Sequence, residues 1–124
     1  MIVVDEPKYK MAIYEAKKEV HVQIIGFIKD DLVEGYLNHL DKASGMVQKK
    51  NYRLVVDATH QSPLPSKVAA GLGDTFMFYA SLGFNDIAIV SSKSKISAVQ
   101  IRNALETVNF PGRLVNHVSE TTSR

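Results

Sequence analysis

Hydrophobic positions along this chain follow three different spacings. Val20-His21-Val22-Gln23-Ile24 alternates apolar and polar residues with a period of two, the pattern of a strand with one buried face. Met11-Ala12-Ile13-Tyr14 precedes it, and the polar Ala16-Lys17-Lys18-Glu19 between the two runs is of hairpin length. A β-hairpin is predicted, with Gly26 at a strand end or bulge and His21 directed away from the core. Hydrophobic residues then recur at intervals of three and four: Leu32, Val33, Tyr36, Leu37, Leu40, Ala43 and Val47. That is one buried stripe on an amphipathic helix. Asp30-Asp31 supplies an N-cap, Lys49 and Lys50 suit the negative end of the helix dipole, and Asn51 is a stop. His39 falls on the polar side. Gly35 and Gly45 interrupt the stripe at a cost of about 1 kcal/mol each relative to alanine, which close backbone packing would explain.

The third spacing is continuous. Leu54-Val55-Val56, within a strand from Tyr52 to Val56, and Ile87-Ala88-Ile89-Val90 have no polar alternation. Strands of this kind are buried on both faces and predict helices on both sides of a sheet. Between them lie a loop from Asp57 to Pro65 and a helix from about Ser66 to Leu82, striped by Val68, Leu72, Thr75, Phe76 and Tyr79 and closed by Gly83. A third helix starts near Ser94. It carries Ile96, Val99, Leu105 and Val108, with Ile101 and Ala104 beside them, and ends at Asn109 and Pro111-Gly112. Arg113 to Val118 reads as a last strand and Ser119 to Arg124 as a polar tail. At the other end, Met1 to Pro7 reads as a partly ordered lead-in, because Pro7 limits any strand built on Val3-Val4. The order β-β-α-β-α-β-α-β predicts a single-domain α/β fold: a mixed sheet with an opening antiparallel hairpin, parallel crossovers and three helices.

Composition narrows the function classes. With 124 residues the chain is one domain with room for a core, and its net charge of +2 is too small for a nucleic-acid-binding face. The absence of cysteine excludes disulfides and thiolate chemistry. No apolar run reaches the roughly 20 residues of a membrane span, and the N-terminus lacks a signal-peptide pattern. A cytoplasmic protein is expected.

Ligands and partners of open α/β sheets meet the loops beyond the carboxyl ends of the strands. That edge gathers Asp57, Thr59, His60, Ser62 and Ser66 with Ser92 and Ser94. Asp57 is expected to hold its loop through an Asx-type bond, since a receiver-type aspartate would need an acidic pair and a strand-end lysine that are missing here. Asp57, His60 and Ser62 have the residue types of a nucleophilic triad, yet three neighbours on one loop do not line up as one. His21, His39, His60 and His117 lie on separate elements without metal-site spacing, so neither a metal nor a cofactor is expected. Ser91 to Lys95 opens a helix and favours anions, without the glycines of a phosphate-binding loop. Phe76-Met77-Phe78-Tyr79 is apolar nearly all round its helix. It is core, a pocket wall, or a homodimer surface built on Phe76, Phe78 and Tyr79.

This order of elements resembles the STAS domains, which include the bacterial anti-sigma factor antagonists, and their small STAS/CRAL-TRIO-like relatives. The residues that carry the resemblance are the Leu54-Val55-Val56-Asp57 strand and its loop, the Phe84-Asn85-Asp86-Ile87-Ala88-Ile89-Val90 segment, and the Pro111-Gly112 turn. It spans about Lys10 to Val118. It implies a non-catalytic regulatory module that acts through a protein partner. The antagonists carry a phosphorylated Ser or Thr in a D-S-S-G-like motif. Here the corresponding run is Asp57-Ala58-Thr59-His60-Gln61-Ser62-Pro63, and Ser62 stands nearest as a phosphate acceptor, ahead of Ser66. The alternative is a module that binds an apolar small molecule or lipid in a pocket under Phe76 to Tyr79; a small enzyme using the same edge is a third reading. An aromatic-lined pocket of a few hundred Å³ favours the ligand reading, and a flat polar edge the partner reading.

Overall fold

Six strands lie side by side in chain order in the computed structural model, which describes residues 1–121. They are β1 (Ile2–Asp5), β2 (Tyr9–Tyr14), β3 (Glu19–Gly26), β4 (Arg53–Gln61), β5 (Asp86–Val90) and β6 (Arg113–Val115). The pairs β1–β2 and β2–β3 are antiparallel, and every later pair is parallel. Helix α1 (Asp30–Gly45) crosses from β3 to β4, α2 (Ser66–Ala69) and α3 (Leu72–Ser81) from β4 to β5, and α4 (Lys95–Thr107) from β5 to β6. The mixed α/β sheet with an opening hairpin and parallel crossovers is the architecture that the alternation of patterns predicts.

The N-terminus departs from the expected lead-in. Ile2–Asp5 forms an edge strand on β2, and the Met1 ammonium donates to the Ile13 carbonyl at 2.9 Å. Pro7 falls in the turn after the strand, so it shortens β1 without preventing it.

Helices α1 to α4 lie on one face, and the expected second helical layer is absent among the described residues. Crossovers that keep one hand and always step the same way along a sheet return on the same side. The core shows this: Met11, Val22, Val56 and Ile89 are in register across four strands and cluster with Tyr36, Leu40, Phe76, Tyr79, Ile101 and Leu105. The opposite face carries the row Ala12, His21, Val55, Ala88 and Arg113. Above it runs a charged row, Glu19, Arg53 and Asp86. Arg53 bonds to Glu19 at 3.0 Å and to Asp86 at 2.8 Å, and Arg113 reaches Asp86 at 2.7 Å. His21 does point away from the helices, but it is bonded to Glu19 at 2.8 Å. Burial raises the Glu19 pKa, while hydrogen bonds and charge from His21 and Arg53 outweigh it and hold the carboxyl below its usual range. Arg113 also ties the C-terminal turn (Val118–Glu120) to this face through the carbonyl of buried Thr121. Val55 and Ala88 are therefore buried among strand neighbours and salt-bridged side chains, where the apolar run predicts helices.

Several boundaries shift. Lys29 is the N-cap of α1, and Asp30 and Asp31 sit inside the first turn, where their charge still suits the dipole. A Cβ at Gly35 or Gly45 would meet open space, so close packing does not explain either glycine. The long helix expected from Ser66 to Leu82 is broken between α2 and α3, with Gly71, a weak helix former, at the start of α3. Ile96 and Val99 are exposed, and α4 buries Ser97, Ile101 and Leu105 instead; a serine in the buried stripe disguises its phase. The last strand stops at Val115, which leaves His117 exposed beyond it. Of the polar tail, Thr122 to Arg124 lie outside the described residues.

Gly112 brings the chain into β6 against β5. A Cβ there would stand 2.6 Å from the Ile87 carbonyl oxygen and 2.5 Å from the Phe110 ring. Gly112→Ala should therefore cost about 1–3 kcal/mol, as for other overpacked sites, measured as a lower urea midpoint with an unchanged m-value.

Candidate functional site: an apolar pocket at the carboxyl edge

The strand after Tyr52 does not end at Asp57. It runs on to Gln61, so Asp57, Thr59 and His60 are strand residues and the loop shrinks to Ser62–Pro65. The extension is made by a bulge. Gln23 pairs with Asp57 but Ile25 pairs with His60, so β4 sets one extra residue against β3. At the bulge, Asp57 Oδ1 accepts from the Thr59 N–H at 3.0 Å and from the Thr59 hydroxyl, the local bond expected of Asp57. The extra residue reverses the facing of the strand. Leu54, Val56 and Ala58 face the helices; after the bulge Gln61, opposite Gly26, does so as well, and His60 is turned outward and exposed. The Ser62 N–H donates to the Gly26 carbonyl at 2.7 Å and closes the pairing. Gly26 has φ +71°, a conformation open to glycine, and ends β3.

Gln61 is thus delivered into a pocket of about 330 Å³ between the sheet and the helices. Its floor is Ile24, Val56, Ala58 and Ile89, with Ile101 from α4. Val33 and Tyr36 of α1 form one wall. Val68 of α2, with Leu72, Thr75, Phe76 and Tyr79 of α3, forms the other, and Asp30 lies at the rim. Leu64 is held in the wall by a two-bond clamp: the Gln100 side chain accepts from its N–H and donates to its carbonyl, both at 2.9 Å.

Phe76 and Tyr79 are each 3% exposed, so they cannot form the expected dimer surface. Phe78 packs half-buried against the core, and Met77 is the exposed residue of the four. The pattern of α3 reflects a helix that meets the core and a pocket. Tyr36 and Tyr79 of the lining hold their buried hydroxyls 2.5 Å apart, and burial pushes both phenols well above their usual pKa, so they stay neutral. Tyr36 packs in a T-shaped contact with Tyr9, whose hydroxyl bonds to His39 Nδ1 at 2.7 Å, so His39 is engaged rather than free in solvent.

The polar edge is largely engaged within the fold. Ser92 Oγ donates to the Gln61 carbonyl at 2.7 Å and accepts from the Ser94 N–H at 3.1 Å. Ser94 Oγ caps α4 by accepting from the Ser97 N–H at 3.3 Å. Ser62 is half-buried and Ser66 is exposed. Among the described residues, no side-chain hydrogen bond links Asp57, His60 and Ser62, and no group of three acidic or histidine side chains is placed to hold a metal ion. Among the described residues, no helix is long and apolar enough to cross a membrane.

Gln61, Gln100 and Tyr36 as site residues are absent from the sequence reading. Tyr36 was legible as core, but neither glutamine carries a local signal. No protein-family profile and no curated protein matches the chain.

Proposed function

We propose that this protein is a non-catalytic binding module, a STAS-like fold in a cytoplasmic setting, that takes an apolar small molecule into the pocket between its sheet and helices. One observation carries the reading. The pocket has the low-end volume of a small-molecule site, walls of aliphatic and aromatic side chains, and a few polar groups in its lining. The protein-partner reading has weaker support, because Asp57, Ser92 and Ser94 of the expected edge are engaged internally.

The test is titration with Nile red, a neutral apolar dye that brightens when removed from water. The parent protein should bind it saturably. Val68→Trp fills the pocket from a half-exposed wall position, and should weaken binding by about tenfold or more, equivalent to about 1.4 kcal/mol, while the urea midpoint stays near that of the parent. Equal binding by parent and variant would place the dye elsewhere and remove the proposal.

A further inference from the structure

We infer that the molecule held here is neutral and carries a hydrogen-bond acceptor on an apolar body, as a ketone, quinone or ester does. This rests on the pocket being a ligand site. Two polar features of the pocket lining hold protons without an acceptor. Gln61 is 9% exposed, lines the pocket, and its amide Nε2 is buried without a partner. Buried donors are almost always satisfied, and an orphan at a cavity wall marks a place for a partner. The tyrosine pair has the same imbalance. Two hydroxyls 2.5 Å apart carry two protons and use one between them. The other proton has no acceptor among the described residues.

Charge excludes the two ionic alternatives at this base. Asp30 is the one charged side chain in the lining, and no lysine, arginine or histidine joins it. A carboxylate ligand would bury its charge with no cation and with Asp30 at the entrance. An ammonium ligand would meet Asp30 at the rim but would bury its charge among the inner lining residues with no carboxylate there to pair it. A neutral carbonyl oxygen accepts from a donor such as the Gln61 amide without desolvating a charge.

Four probes of similar shape separate these cases: benzophenone (neutral acceptor), diphenylmethane (no polar group), diphenylacetate (anion) and aminodiphenylmethane (cation). Binding is followed by NMR through the methyl groups of Val56, Leu72, Ile89 and Ile101. Benzophenone should bind at least about tenfold more tightly than diphenylmethane, because a site built around unpaired donors discriminates against a ligand that leaves them unpaired. Gln61→Leu removes the orphan amide at similar volume and should narrow the gap between benzophenone and diphenylmethane several-fold while diphenylmethane binding persists. Equal affinity for these two probes in the parent overturns the inference and leaves the apolar pocket standing. Tighter binding of either ionic probe also overturns it. If none of the four, nor Nile red, shifts the pocket methyls, the ligand-site reading itself fails, and this inference with it.

Discussion

Replacing Arg53 with methionine will destabilise the protein by about 3–5 kcal/mol, the range for removing one partner of a buried ion pair. Arg53 stands between Glu19 and Asp86 in register across β3, β4 and β5, and it bonds to both carboxylates. Glu19 is 2% exposed, and without Arg53 it keeps only the hydrogen bond to His21 among its side-chain bonds. Asp86 still has Arg113, so the loss centres on Glu19. The effect depends on pH with a definite sign. The folded protein holds the Glu19 carboxyl below its unfolded value. Its stabilising contribution is therefore complete above the unfolded value, about pH 4.3, and disappears as pH falls through the folded one. The difference between parent and variant in urea midpoints should be widest at neutral pH and should narrow below about pH 4. A double variant, Glu19→Leu with Arg53→Met, should recover much of the loss, because it removes the stranded charge.

Leu54→Ala should cost about 2–5 kcal/mol, the range for truncating a fully buried leucine. Leu54 is 0% exposed on the central strand, in register with Val20 and Ile87 on the helical face. It does not line the pocket. Packing on two sides by sheet neighbours, within the buried core under the helices, leaves little freedom for the cavity to collapse. Equilibrium urea unfolding measures it. Nile red affinity should stay near that of the parent wherever the variant is folded, which separates the core from the site.

The periodicities carried most of the architecture, because each element is long enough to show its spacing over several residues. The hairpin, α1 and the strands at Val55 and Ile89 are of this kind. Where the reading failed, the cause was a residue whose role depends on a distant partner. Val55 and Ala88 read as doubly covered because their run is apolar, but the groups around them include Arg53 and Arg113, whose partners Glu19 and Asp86 lie far away in the chain. Asp57 has the appearance of a strand end, and continuous pairing to Gly26 through a bulge is invisible without β3. That single extra residue decides which way Gln61 faces. The pocket followed the same rule. Phe76 and Tyr79 announced an apolar face, while what it faces was set by the break at Gly71 and by the Gln100 clamp on Leu64.

Isotope-filtered nuclear Overhauser contacts between bound Nile red and the methyl groups of the protein test the central claim most directly. The account predicts contacts to Val56, Ile89 and Ile101 at the base of the pocket, with Leu72 in its wall. Contacts confined to the exposed methyls of Leu32, Ile96 and Val99 would contradict it.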